Sequence, residues 1–264
     1  MLRFAVPVGA VLPLILLMTG TGLAGPTLVQ GGQYPDLRAA NPHHFTVQNN
    51  QQREFLRFSN MVANTGPGDL ILRPEHDPIN NITTGYQEIE NAAGTVIDEQ
   101  AVSQFVFHPA HNHWHITAVA LFEVRKALDD GRGGRWGAVY GNQSIKTTFC
   151  LIDVIQLDGQ SKTPELRFWD CFPDERQGIS SGWGDQYHHA TEGQELEVTA
   201  APSGLYYLVS ISNPDQAFIE TDYGNNMAWT SFRLTRDSKG NAKIAEVAAA
   251  PCTGKLCGVQ IPNR

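Results

Sequence analysis

Apolar and polar positions alternate in short runs along this chain instead of recurring every three to four residues. Residues 55–63, 104–107, 116–124, 146–152, 195–199, 205–211 and 228–234 are short runs rich in β-branched and aromatic side chains. Successive side chains of a strand point to opposite faces, so such runs mark strands. Turn chemistry separates them: Asn64-Thr-Gly-Pro-Gly, Asn91-Ala-Ala-Gly, Asp129-Asp-Gly-Arg-Gly-Gly and Pro202-Ser-Gly. No long segment carries a helical period. Many short strands with glycine-rich turns predict an all-β fold, a single-domain β-sandwich with long irregular loops. Residues 158–186, rich in Gly, Asp and Ser, are expected to form the longest loop. A long loop in a compact β domain is usually functional or disordered.

The chain opens with Arg3, an apolar run from Phe4 to Met18, and small residues up to Gly25. This is the plan of a secretory signal; the run is short for a membrane span and is interrupted by Pro7 and Pro13. The expected organisation is a signal at residues 1–25, one domain at 26–240, and a small, polar, less ordered tail at 241–264 with a local cysteine pair. Signal cleavage would leave no transmembrane anchor. The net charge of −8 argues against nucleic acid and anionic membranes as partners. It suits a cationic substrate such as an amine. Four cysteines in a secreted chain predict two disulfides, with three connectivities open. Sequence proximity favours Cys150–Cys171 and Cys252–Cys257.

The chemistry concentrates in His108-Pro-Ala-His-Asn-His-Trp-His115, where four of the nine histidines fall. A neutral imidazole offers a nitrogen lone pair to a metal without losing a charge. His111, His113 and His115 alternate, which on a strand aims all three at one face. A straight strand would hold the outer two Cα atoms about 13 Å apart. Binding one ion therefore requires a bend. His108 lies out of this register and is read as an outer hydrogen-bond partner or a packed ring.

These residues also resemble a known family. Phe107-His-Pro-Ala-His-Asn-His-Trp-His is similar to the copper motif of the lysyl oxidases. Further segments match in the same order: Pro35-Asp-Leu, Arg53-Glu-Phe-Leu-Arg-Phe-Ser, Ile145-Lys-Thr-Thr-Phe-Cys-Leu-Ile-Asp, Gln177-Gly-Ile-Ser-Ser-Gly-Trp-Gly-Asp-Gln-Tyr and Glu220-Thr-Asp-Tyr-Gly-Asn-Asn. Ala110 and Trp183 stand where animal members carry cysteines, which puts collagen or elastin in doubt as the natural substrate.

The resemblance implies a secreted enzyme that oxidatively deaminates primary amines, lysyl ε-amines or small alkyl amines, using dioxygen. Its products are an aldehyde, ammonia and hydrogen peroxide. It implies copper, Cu(2+), at His111, His113 and His115, and a lysine tyrosylquinone cofactor cross-linking Lys146 to Tyr187. Asp185 matches the family's aspartate and is the candidate general base. His188 and His189 follow the tyrosine directly and are read as loop residues bordering the pocket. Asp222, Asn225 and Asn226 offer hard oxygens suited to Ca(2+). With the resemblance, Asp36 and the Leu37 carbonyl complete that calcium site.

Two other classes compete. One is a non-catalytic immunoglobulin-like β-sandwich binding module, which leaves the histidines without a role. The other is a cupin-like metal enzyme using His111, His113 and Glu123.

Overall fold

Strand Arg53–Asn64 alternates buried and open positions at its start and is buried throughout its second half. The reason is its place at the centre of a sheet. In the computed structural model, which describes residues 28–50, 52–109, 111–159 and 165–258 (the side chains of 50 and 141–147 excepted), the strands are numbered in chain order. They are β1 Gly32–Gln33, β2 Leu37–Ala39, β3 His43–Asn50, β4 Arg53–Asn64, β5 Leu70–Asp77, β6 Ile82–Asn91, β7 Val96–His108 and β8 His113–Ala127. Then follow β9 Trp136–Phe149, β10 Ile155–Gln156, β11 Gln177–Ile179, β12 Trp183–Tyr187, β13 Glu195–Glu197, β14 Gly204–Ser212, β15 Met227–Arg236 and β16 Ala242–Ala249. The segment expected to be a secretory signal, residues 1–25, lies outside the described residues.

The all-β expectation holds. The smaller sheet is built on β4, which pairs with β2, β3, β12 and β13, while β10 pairs with β12. The larger runs β11-β5-β6-β7-β8-β14-β15-β16, with β1 on β6 and β9 on β8. All pairings are antiparallel. The core lies between the sheets. Leu56, Phe58 and Val62 of the smaller sheet meet Phe122, Val124, Leu208 and Phe232 of the larger. The Phe58 and Phe122 rings cross the interface edge to face, with centroids 4.9 Å apart. Among the described residues no helix is long and apolar enough to cross a membrane.

Strand β8 positions the chemistry. One of its edges pairs first with β7, over His113–Ile116, and then with β14, over Ala120–Lys126. The change falls at Ala118, whose φ of 67° is rare for a residue with a Cβ. The opposite edge pairs with β9, whose register slips at the same place.

Several expectations are corrected. Residues 158–186 are not wholly irregular, since β11 pairs with β5 and β12 with β4. Gly184 permits the second pairing, because a Cβ there would stand 2.6 Å from Met61 Sδ. Strand β9 ends at Phe149, short of residue 152. The tail is more ordered than expected: β16 pairs along β15 from Ala242 to Ala249. Both expected disulfides form, Cys150–Cys171 with Cα atoms 5.7 Å apart and Cys252–Cys257 with 5.2 Å.

Candidate metal centre and its surroundings

The bend that three alternating histidines require is a hairpin turn. His108 and His113 are partners across β7 and β8. The amides of His111 and Asn112 both donate to the His108 carbonyl, at 3.1 and 2.9 Å. Asn112 takes φ 55°, a left-handed conformation that asparagine tolerates. His111 therefore sits in the turn and not on the strand, and it folds back over His113 and His115. His113 Nε2 lies 3.0 Å from His115 Nε2, and His111 Nδ1 lies 3.3 Å from the same atom.

His108 is closer to this group than its register suggests. Its ring stacks on His111 and His115, with centroids 4.2 and 4.7 Å apart. His108, His111 and His115 each offer a ligand nitrogen within 4.8 Å of the others. The His108 Nδ1 is buried with no hydrogen-bond partner. Buried polar atoms are nearly always paired, so an orphan here fits a donor set that awaits a cation. Burial, and then the neighbouring imidazoles, push His115 down to about 3 and lower His113 as well. Those two rings are thus held neutral, as metal ligation requires. The grouped donors among the described residues, His108, His111 and His115, are all imidazoles, and imidazole donors suit copper or zinc.

The surrounding chain fixes this geometry. His115 Nδ1 lies 3.0 Å from Thr148 Oγ1 on β9. The Trp114 amide donates to the carbonyl of disulfide-bonded Cys171 at 3.0 Å, and Gln177 Nε2 donates to the Trp114 carbonyl at 2.7 Å. Glu192 Oε2 approaches His111 Nε2 to 3.9 Å from an exposed loop. Glu123 of the cupin-like alternative is instead paired with Arg125 at 2.5 Å.

Lys146 lies on β9 with its Cα opposite Leu121 of β8; its side chain is outside those described. Tyr187 closes β12. Its hydroxyl donates to the Cys150 carbonyl at 2.8 Å, one residue past the end of β9, and its ring lies 4.4 Å from that of Phe149. Burial raises the Tyr187 hydroxyl well above its usual range, with Asp185 adding to the effect. Asp185 is buried two residues earlier on the same strand face, and its Oδ2 has no hydrogen-bond partner. Burial likewise holds its carboxyl well above the ordinary aspartate range.

The proposed oxygen site is only partly assembled as expected. Asn225 Nδ2 donates to Asp36 Oδ1 at 2.9 Å, joining the start of the domain to the turn before β15. The Oδ1 atoms of Asn225 and Asn226 are buried and unpartnered. Glu220, which the sequence reading left without a role, sits in their midst. It accepts from the Leu37 amide at 2.7 Å and from Asn226 Nδ2 at 2.7 Å. Burial raises its carboxyl. The signal for it was present, since Glu220 opens the same segment as Asp222. Asp222 itself accepts from the Gly224 amide at 2.8 Å, in an Asx turn. Two orphaned amide oxygens in a segment that also carries a buried carboxyl fit a hard cation.

His44, which the sequence did not single out, packs with His188 and His189 just beyond Tyr187. Burial, and then its histidine neighbours and Arg57, push His189 down to about 4.

Comparison with known proteins completes the picture. The sequence profile of the lysyl oxidase family matches residues 84–243. Lysyl oxidase homolog 2 of Xenopus tropicalis is 26% identical over 175 residues, covering 66% of this chain and 18% of the relative. The Rattus norvegicus homolog 2 is 23% identical and the Danio rerio homolog 2A 26% identical, over the same length and shares. The match thus spans less than a fifth of these relatives. The profile covers more than half of the chain and takes in the histidine hairpin, β9, β12 and the Glu220–Asn226 segment; the chain belongs to the lysyl oxidase family.

Proposed function

We propose that this chain is a secreted, copper-dependent amine oxidase that converts primary amines to aldehydes with release of ammonia and hydrogen peroxide. The observation that carries the reading is the convergence of His111 and His113 on His115 Nε2, at 3.3 and 3.0 Å, in a member of this family. His111, His113 and His115 would hold Cu(2+), with His108 stacked against them. There copper would supply the oxidation of Tyr187 from which the cofactor is made.

Lys146 and Tyr187 are the proposed cofactor pair. Support comes from the bond that fastens the Tyr187 hydroxyl to Cys150, four residues from Lys146 in the chain. The lysine tyrosylquinone made from them would serve as the electron sink for the amine, with dioxygen restoring it. Asp185 is the proposed base for the α-proton. Once ionised, a carboxylate whose pKa is raised by burial is a stronger base than an exposed one. Glu192, exposed beside His111, would attract a cationic amine. The calcium ion is proposed as structural, held by Asp36, the Leu37 carbonyl, Asp222, Asn225 and Asn226, together with Glu220.

The test is peroxide release from primary alkyl amines by the copper-loaded chain, blocked by phenylhydrazine. Lys146→Arg and Tyr187→Phe should each be inactive while still folded and copper-binding. Peptide mapping should find peptides containing Lys146 and Tyr187 covalently joined. Turnover that survives in either variant removes the quinone from the reading.

A further inference from the structure

The His44, His188 and His189 cluster lies outside the hairpin centre and takes no part in the chemistry above. It is built from two distant parts of the chain. His44 sits at an irregularity of β3, where the pairing with β4 slips between His43 and Thr46. Its φ is 57°, a conformation that residues with a Cβ rarely adopt and that persists where surrounding structure enforces it. His188 and His189 immediately follow Tyr187. The His189 amide donates to Ser59 Oγ at 2.9 Å, and its carbonyl accepts from Arg57 Nε at 2.6 Å. The backbone is thereby pinned from both sides, which fixes where the ring can lie.

The three rings are in contact. Centroids of His44 and His189 are 3.8 Å apart, those of His188 and His189 4.1 Å, and those of His44 and His188 5.4 Å. Each offers a ligand nitrogen within 4.8 Å of the other two. Nδ1 of His44 and Nδ1 of His189 are both buried without a hydrogen-bond partner. Simple packing of aromatic rings would not bring lone-pair donors together and leave two of them orphaned, since buried polar atoms are nearly always paired. Arg57 brings positive charge to the neighbourhood, but Glu195 pairs with it at 2.5 Å. A weak contact stands in the way as well: the Ala190 amide reaches His188 Nδ1 at 3.3 Å. That is long for an N–H donor, and a metal would displace it readily.

We propose that His44, His188 and His189 form a second transition-metal site, which takes a divalent ion of the zinc and copper class. Three imidazoles with no carboxylate exclude calcium and magnesium and suit this class. Three protein ligands also leave a fourth position for water. The ion would clamp β3 to the segment that leaves Tyr187. It would hold the loop through Glu192, which ends beside His111, against the smaller sheet. The site stands on its own residues and does not depend on the reaction assigned to Tyr187.

Zinc counting on untagged full-length protein tests it. The protein is stripped with chelator and re-equilibrated with Zn²⁺ in excess Ca²⁺, which occupies the oxygen ligands. Wild type should hold two zinc ions per chain. His111→Ala/His113→Ala should hold one, with three nitrogen neighbours at about 2.0–2.1 Å by X-ray absorption. His44→Gln and His189→Gln, each checked for fold by circular dichroism, should also hold one. The proposal is overturned if the double alanine variant retains no zinc, or if both glutamine variants retain two. One zinc in wild type, kept in the double variant and lost in His44→Gln, would support this site and remove the hairpin centre instead. The double variant leaves the second cluster untouched, so it decides the matter even if a glutamine variant fails to fold.

Discussion

Thr148 Oγ1 lies 3.0 Å from His115 Nδ1, the ring nitrogen that His111 and His113 leave free. A hydroxyl in that place can accept a hydrogen bond from Nδ1–H, which favours the tautomer that leaves the Nε2 lone pair free for a metal. Outer hydrogen-bond partners of metal-bound histidine fix ring orientation and raise ligand basicity.

Thr148→Val keeps the side-chain shape and removes the hydroxyl. Copper affinity should fall by about 10–100-fold, the usual effect of losing such a partner. Competition against a chelator of known affinity measures this. An unchanged affinity in a folded variant would mean that Thr148 has no part in the centre.

Asp185 should report on both catalysis and stability. Its carboxyl is raised well above the ordinary aspartate range by burial. A group raised on folding contributes stability below its unfolded pKa, near 3.9, and loses it as pH climbs through the folded value. Asp185→Asn should therefore match wild type in melting temperature near pH 4 and exceed it near pH 8. If Asp185 is the base, the same variant should turn over about 10²–10⁴-fold more slowly. Parallel melting temperatures at both pH values would refute the buried proton, whatever happens to turnover.

The parts of the fold readable from sequence are those where one periodicity rules. The run at residues 55–63 announced β4 because both its faces meet packed neighbours, and residues 205–211 announced β14 likewise. Strand β5 was hidden by Pro74. The structure accommodates that proline because β11 pairs only with Leu70–Leu72, leaving the rest of that edge without a β11 ladder. Strand β16, with Ala245, Ala248 and Ala249 in its run, has too little apolar bulk to signal itself and is placed by its ladder to β15. In the candidate centre, spacing identified His111, His113 and His115 as a group but could not reveal that His111 lies in a turn. The pairing of His44 with His188 and His189 depends on long-range packing, which no local pattern encodes.

The Cys150–Cys171 bridge secures the segment that supports the hairpin. It closes a loop of 21 residues, and the Cys171 carbonyl takes the Trp114 amide at 3.0 Å. Loop entropy assigns such a bridge about 3 kcal/mol. Cys150→Ala/Cys171→Ala should unfold at lower denaturant by about that free energy and bind copper more weakly. A midpoint equal to wild type would show that strand pairing alone fixes this segment.

Calcium should stabilise the join between Asp36 and the turn before β15. Burial raises the Glu220 carboxyl, which means that an uncompensated charge there is costly. Two amide oxygens of the same segment, Asn225 Oδ1 and Asn226 Oδ1, are buried without partners. A hard dication would answer both, and binding only the folded state raises stability by mass action. At a hundredfold excess over Kd the gain is about 2.7 kcal/mol, or roughly 5–10 °C for a domain of this size. Wild type should melt lower in chelator and recover with Ca²⁺. Glu220→Gln removes the charge, so it should melt no lower than wild type in chelator and fail to respond to Ca²⁺. Asp222→Ala should lose the response too if its free carboxylate oxygen reaches the ion while the other caps Gly224. Identical melting curves with and without Ca²⁺, on protein shown to be calcium-free, would reduce the segment to a network of Asx turns around a protonated Glu220.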